Sequence, residues 1–248
     1  MRLIKRIPLA IAALSAALWS VSVLPEIEPT IAHARRTDTS GGALAASFFG
    51  GDEPRHSSQE LARIRRTLRE RATGTYIDEL LTERDSSLAR WKERRRDPIR
   101  VWIQGSSSLR DWSPSYVNAV RNAFLAWDEV GLPARFTFVN DSSKAEVTVG
   151  WTDRFTQPIS GRTRWARDER WWITDASITL AVHHHQGETL AEDAMHAMAL
   201  HEIGHLLGLD HTSDVGSVMA PRVRVRELSD TDRATARLLY SLPPGAVR

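Results

Sequence analysis

The stretch HEIGHLLGLDH, residues 201–211, places three histidines and one glutamate within a single short segment. His201 and His205 are four residues apart, so on an α-helix they project from the same side, one turn apart. Two imidazoles arranged in this way can bind one metal ion. Glu202 directly follows the first histidine and therefore lies beside the metal rather than facing it. That position suits a general base that acts on a water molecule at the metal.

The glycine in this stretch predicts where the helix ends. A helix that continued past Gly208 would carry His211 away from the metal. Glycine reaches left-handed backbone angles at little cost, so we expect the helix to end there and His211 to return as the third ligand. Three nitrogen ligands with one open position describe a catalytic zinc site, whereas four ligands describe a structural one. The full string is much more selective than H-E-x-x-H alone, which has many chance matches.

The pattern of apolar residues predicts an α+β (α/β) domain over residues 98–248. Alternating apolar residues, typical of strands, occur at 99–104, 136–138, 145–151, 161–167 and 172–182, the last two forming a hairpin around 168–170. Helical periodicity with start and stop signals predicts helices at 57–74, 76–91, 113–131, 189–207 and 229–242. Three of these helices begin with a capping box, formed by Ser57 with Glu60, Thr189 with Glu192, and Ser229 with Asp232.

The N-terminal region indicates export. Residues 1–34 combine a basic start, an apolar run at 7–24 and a small-residue site at Ala32-His33-Ala34, the order of a secretory signal. The run is long enough to act instead as an uncleaved membrane anchor. In both cases the remainder is expected outside the cytoplasm, as a secreted, periplasmic or cell-surface protein. Residues 35–57 read as a flexible linker, and the helical segment 58–97 either packs on the following domain or acts as a propeptide.

The composition limits the classes of function. Lys and Arg number 33 against 31 Asp and Glu, for a net charge of +2, which gives little reason to expect nucleic-acid binding. The sequence has no cysteine, so disulfides, thiolate ligands and a cysteine that caps the metal are excluded. We expect a monomer.

Taken with the SVMAP segment at 217–221, the HEIGHLLGLDH string resembles the metzincin zinc endopeptidases, most of all the matrixin branch without a cysteine switch. The resemblance implies a twisted, mostly parallel sheet with an antiparallel edge strand, an active-site helix, a methionine turn at Met219 beneath the metal, and a C-terminal helix. It also implies one catalytic zinc ion. The implied site residues are His201, His205 and His211 as zinc ligands and Glu202 as general base and acid.

The same resemblance implies where a substrate would bind. An extended peptide would add to the free edge of the strand formed by Gly161, Arg162, Thr163, Arg164 and Trp165. The segment 151–160 is short and has no histidine, which speaks against the structural zinc and the calcium sites of the family. Val223 stands where the vertebrate enzymes place a tyrosine after the methionine turn, so the wall of the specificity pocket is expected to differ.

Two alternative functions stay open on the sequence. A non-catalytic binding module could keep the same fold and use zinc for stability, although an intact Glu202 has no purpose there. Zinc-dependent hydrolysis of a non-peptide bond is the second alternative. The run His183-His184-His185 also allows two interpretations, a second metal site or a solvated loop after a strand.

Overall fold

The structure is a computed structural model and describes residues 56–247. Its α-helices are α1 (Ser58–Arg71), α2 (Ile77–Glu83), α3 (Ser115–Asp128), α4 (Glu192–Leu206) and α5 (Asp230–Ser241). Its strands are β1 (Ser87–Leu88), β2 (Arg90–Trp91), β3 (Arg94–Ile103), β4 (Ala134–Phe138), β5 (Val147–Thr152), β6 (Gly161–Arg167), β7 (Trp172–Ala181) and β8 (Gly245–Ala246).

Six strands form the main sheet, in the order β2-β7-β5-β3-β4, with β6 paired to β7. The neighbours β2–β7, β7–β5, β5–β3 and β3–β4 are all parallel. Strand β6 is antiparallel to β7 and forms the predicted hairpin with it. The expected α+β architecture, a mostly parallel sheet with an antiparallel edge strand followed by an active-site helix and a C-terminal helix, is therefore confirmed.

Helix α4 lies deep in the core between α3 and the sheet. Most of its side chains are buried, among them Met195, Leu200 and Ile203. The indole of Trp127 on α3 donates to the Leu200 carbonyl at 2.9 Å. At the end of the helix the indole of Trp91 donates to the Leu206 carbonyl at 2.9 Å. Buried indole N–H groups need hydrogen-bond acceptors, and both find one on α4. The two bonds therefore tie α4 to α3 and to β2.

The expectation of one long helix over residues 76–91 is wrong, since α2 ends at Glu83. Asp85 and Ser86 have φ of 48° and 62°, a left-handed turn that no α-helix contains. Beyond this turn Leu88 pairs with Gly245 in a small second sheet, and Trp91 pairs with Ile173 in the main one. The apolar spacing that suggested a helix thus reflects burial in two different sheets.

Two of the three predicted capping boxes are present. Ser57 with Glu60 opens α1, and Ser229 with Asp232 opens α5. The third prediction is wrong because Ala191 is the N-cap of α4 and makes no side-chain cap. The hydroxyl of Thr189 instead lies 3.5 Å from an Asp111 carboxylate oxygen.

The segments assigned by sequence to a signal or anchor (1–34) and to most of the linker (35–57) lie outside the described residues, which begin at residue 56. Within residues 56–247, none of the helices has both the length and the hydropathy that crossing a bilayer requires.

Candidate metal centre and active site

Gly208 ends the active-site helix in the way that the sequence predicts. Its φ is +97°, a region that other residues adopt only with strain. A Cβ at this position would also overlap the carbonyl oxygen of Ala89. Both the turn and the close approach therefore require glycine. The chain then reverses and brings His211 back toward α4.

The structure brings the three predicted histidines together. The Nε2 atom of His201 lies 3.1 Å from that of His205 and 3.3 Å from that of His211. Their ligand atoms all lie within 4.8 Å of one another, and no other potential metal-binding group is found among the described residues. Three nitrogens converging from one bent segment match the donor set of a catalytic zinc site.

Backbone carbonyls fix the tautomers of two of these imidazoles. His201 Nδ1 lies 2.6 Å from the Val218 carbonyl, and His205 Nδ1 lies 3.1 Å from the Leu209 carbonyl. A carbonyl only accepts, so Nδ1 carries the hydrogen and Nε2 presents its lone pair to the centre of the cluster. Burial lowers the pKa of His201 to about 4 and also lowers the pKa values of His205 and His211. Neutral imidazoles are the form that binds zinc, so the residues fit this metal.

Glu202 lies against the edge strand of the sheet. Thr163 Oγ1 lies 2.6 Å from Glu202 Oε2 and 2.9 Å from the Glu202 backbone oxygen. A Cβ at Gly161 would overlap Glu202 Oε1, so only glycine leaves room for the carboxylate. Burial raises the pKa of Glu202 to about 7, against the opposing effect of the Thr163 hydrogen bond. The sequence identified Glu202 but gave no sign that Gly161 and Thr163 hold it.

The methionine turn packs under the active-site helix. Met219 is fully buried, and a Cβ at Gly204 would overlap its sulfur. The buried carboxylate of Asp232 accepts from the Val218 amide at 3.2 Å and from the Ser217 hydroxyl. The sequence placed Asp232 only in a capping box, yet the same carboxylate also fixes the turn beneath the metal centre.

The segment before the sheet supports the loop that carries His211. Arg84 Nε donates to Asp210 at 2.8 Å, and its Nη2 donates to the Leu209 carbonyl at 3.1 Å. Burial would raise the pKa of Asp210, but the charge and hydrogen bond of Arg84, together with His205 and the His211 amide, lower it overall. Glu79 accepts from the Ser213 amide at 2.7 Å. These contacts join residues more than 100 positions apart, which no local sequence signal reveals.

The predicted substrate strand lies at an edge. Among the described residues β6 pairs with β7 alone. Gly161 and Thr163 face Glu202, and Trp165 lies on the same side, with the Arg84 guanidinium 5.4 Å from its ring centre. Arg162 and Arg164 alternate with these residues and project from the opposite face.

The three consecutive histidines lie away from the triad and contact the loop 153–160. His183 is fully buried, with its Nδ1 2.8 Å from Asp153 and its Nε2 3.0 Å from Asp111. His184 and His185 are exposed and lie near Ser160 and the Phe155 carbonyl. The solvated-loop interpretation is thus wrong for His183. Its two carboxylates lie at opposite ring nitrogens, so they cannot share one metal ion with it.

Comparison with known proteins finds a family model that matches the C-terminal part of the chain. Residues 153–241, which include α4, the histidine triad and the methionine turn, match the model of the matrixin peptidases. This region of the chain is similar to the matrixin-type metzincins. The matched region begins just before β6, so the matrixin match covers both the edge strand and the metal centre.

Curated proteins similar to the chain include plant and animal proteins. Metalloendoproteinase 1 of Glycine max is 36% identical over 91 residues, which are 35% of this chain and 28% of the relative. Metalloendoproteinase 5-MMP of Arabidopsis thaliana is 27% identical over 176 residues, which are 62% of this chain and 46% of the relative. Matrix metalloproteinase-C of Caenorhabditis elegans is 27% identical over 136 residues, 46% of this chain and 22% of the relative. The chain thus spans less than half the length of the curated relatives it matches.

Proposed function

We propose that the chain is an exported, zinc-dependent endopeptidase that cleaves extended peptide substrates. The observation that carries this proposal is the position of Glu202, which directly follows the first of three convergent histidines and whose carboxylate lies against a strand edge that is unpaired among the described residues. A structural zinc site needs no such carboxylate and no open position. The printed names of the plant relatives, metalloendoproteinases, support the same conclusion.

His201, His205 and His211 would hold the zinc ion, which supplies a Lewis acid and a bound water of lowered pKa. Glu202 accepts a proton from the attacking water and later delivers it to the leaving amine. Burial raises the pKa of Glu202 to about 7 in the metal-free protein, and the positive charge of a bound zinc ion would favour the carboxylate form that accepts a proton. Thr163 orients the carboxylate by binding Oε2, and the edge of β6 aligns the peptide beside it by strand addition.

Purified protein incubated with casein tests this proposal. Cleavage is expected with zinc, and its loss is expected with a chelator. Glu202→Gln should keep the zinc content of the wild type and lose about 100-fold or more of the turnover. Glu227→Gln, at an exposed position, is the matched control and should retain activity. A wild type that binds zinc stoichiometrically but cleaves neither casein nor any peptide of a diverse library would favour the alternative, a zinc-stabilised binding module.

Export rests on the signal-like residues 1–34. N-terminal sequencing of protein from its native host would show whether the chain begins after Ala34, as signal cleavage predicts, or keeps the apolar run as an anchor. The same measurement detects removal of residues 35–97 as a propeptide. Protein that stays in the cytoplasm with its first residues intact would contradict export without affecting the peptidase assignment.

A further inference from the structure

The two faces of the edge strand differ in chemistry. Gly161 and Thr163 approach Glu202 on the inner face, whereas Arg162 and Arg164 project from the outer one. Their partners on β7 are Thr179 and Ser177, respectively. These four outward residues line a shallow pocket of about 70 Å³ together with Phe155. The pocket therefore lies directly across the strand from the carboxylate assigned to catalysis.

Neither arginine is paired directly with a carboxylate of the described residues, although the charge of Arg162 opposes the rise in the pKa of Glu202. Within residues 56–247 no ion pair with a carboxylate is found for either guanidinium. Arg162 is held in place by donating to the side-chain oxygen of Gln157, and its guanidinium lies 5.0 Å from the ring centre of Phe155. This arrangement positions the guanidinium and leaves donors free for another acceptor, because an arginine has five N–H groups. Two hydroxyls in the pocket, from Ser177 and Thr179, can donate as well.

A peptide added to the free edge of β6 would continue the alternation of the sheet. Its residues opposite Arg162 and Arg164 would place their side chains on the same outer face, with Cβ atoms about 4.5–5.5 Å from those of the arginines. We propose that this outer pocket binds a substrate carboxylate, so that peptides with Asp or Glu at an outward-facing position near the scissile bond are preferred. This inference rests on the proposed endopeptidase function, since it needs a peptide on the edge strand.

Charge and geometry select the ligand. A planar guanidinium binds a carboxylate with two parallel hydrogen bonds, and a Lys or Arg side chain at the same position would be repelled. Because the pocket is open to solvent, the preference should be moderate and sensitive to salt. We expect Glu to raise kcat/KM by about threefold to tenfold over Ala at low ionic strength. Positions that face inward should show no such gain, so the preference should alternate along the peptide.

The experiment moves one Glu through the six positions around the bond cleaved in an otherwise alanine-substituted peptide. Values of kcat/KM are measured at about 20 mM and about 500 mM NaCl. The ratio of kcat/KM for the Glu peptide to kcat/KM for the Ala peptide should exceed one at alternate positions, and it should fall at high salt. The double variant Arg162→Gln with Arg164→Gln should lose this ratio, and Arg164→Glu should prefer Lys instead. Arg170→Gln, in the hairpin turn, is the matched control and should keep both the ratio and the activity.

Each outcome decides a different question. A Glu preference that persists in the double variant, or that appears at consecutive positions, would overturn the pocket as its source. Cleavage of all peptides at equal rates would overturn the inference while the endopeptidase function stands. Failure to cleave these peptides, casein and every peptide of a diverse library, with zinc bound, would refute the proposed function itself. Thermal unfolding of each variant confirms that the compared proteins are folded.

Discussion

At the scale of single residues, the site depends on close approaches that only glycine permits. Gly161 leaves room for Glu202, Gly204 for Met219, and Gly208 for the Ala89 carbonyl. The sequence motif identified Gly208 through its role in the helix end. It could not identify the other two, because the atoms that they accommodate come from segments distant in sequence. The clustering of the three histidines was thus predictable, whereas the packing around them and around Glu202 was not.

Gly161→Ala should impair turnover more than stability. The new Cβ overlaps Glu202 Oε1 and forces the carboxylate out of position, and displacement of a catalytic group by about 1 Å costs roughly 10- to 100-fold in rate. Zinc content should be unchanged, since the atoms nearest to the new Cβ all belong to Glu202. Gly105→Ala, where a Cβ would meet no atom within 4 Å, is the control for both measurements. Undiminished kcat in the Gly161 variant would contradict the observed approach.

Glu202→Gln should stabilise the metal-free protein at alkaline pH. Burial raises the pKa of Glu202 from 4.5 in the unfolded chain to about 7 in the folded one. The folded state therefore binds more protons between these values, and the wild type loses stability as pH rises through this window. The loss is complete above pH 7 and can reach about 3 kcal/mol. Gln does not titrate and avoids this loss of stability. Chemical denaturation with chelator present should therefore give the variant a higher free energy of unfolding than the wild type at pH 8 but not at pH 5.

At the scale of elements, the N-terminus of α5 is tied to the methionine turn through one carboxylate. Asp232 completes the capping box with Ser229 and accepts from Ser217 and Val218 of the turn. Local patterns predicted the capping box and the helix correctly. They failed for residues 76–91, where α2 stops early because Leu88 and Trp91 pair with strands far along the chain. Periodicity shows that a residue is buried but not which partner buries it.

Asp232→Ala should destabilise the fold and loosen the metal centre together. The change leaves the hydroxyls and amides around a buried carboxylate without an acceptor, at a cost of about 3 kcal/mol or more. The turn also holds His201 through the Val218 carbonyl, so zinc affinity should fall as well. Asp230→Ala removes an exposed acid from the first turn of the same helix and should cost about 0.3–1 kcal/mol. Denaturant unfolding measures the loss of stability, and competition with a zinc chelator measures the loss of zinc affinity. Equal losses of both quantities in the Asp232 and Asp230 variants would contradict the dual role of Asp232.

At the scale of the whole molecule, residues 76–97 pack into the domain as its other segments do. Strand β2 extends the main sheet, β1 pairs with β8, and Tyr76 donates from its hydroxyl to Asp232 at 3.3 Å. The sequence analysis assigned residues 58–97 to a separate segment, because the helical pattern and charge of these residues differ from those of the strands that follow. That separation reflects local composition, whereas the contacts that join the two parts are long-range.

Two truncations test how much of this segment the domain needs. A chain that begins at Tyr76 should fold, bind zinc and cleave casein, since it keeps α2, β1 and β2. A chain that begins at Pro98 loses the buried side chains of Leu80, Leu88 and Trp91 and should be unfolded or insoluble, because each large buried side chain is worth about 2–5 kcal/mol. Circular dichroism and zinc content distinguish the two. A folded, active chain that begins at Pro98 would show that residues 58–97 are a separable propeptide.

The contacts that α2 and Arg84 make with distant segments have a consequence for any protein clipped at the turn of Asp85 and Ser86. The piece before the cut would stay bound to the rest of the domain through Tyr76, Glu79 and Arg84. Such a preparation would elute from a sizing column as one intact species and yet run as two bands on a denaturing gel. Only the gel would reveal that the backbone had been broken.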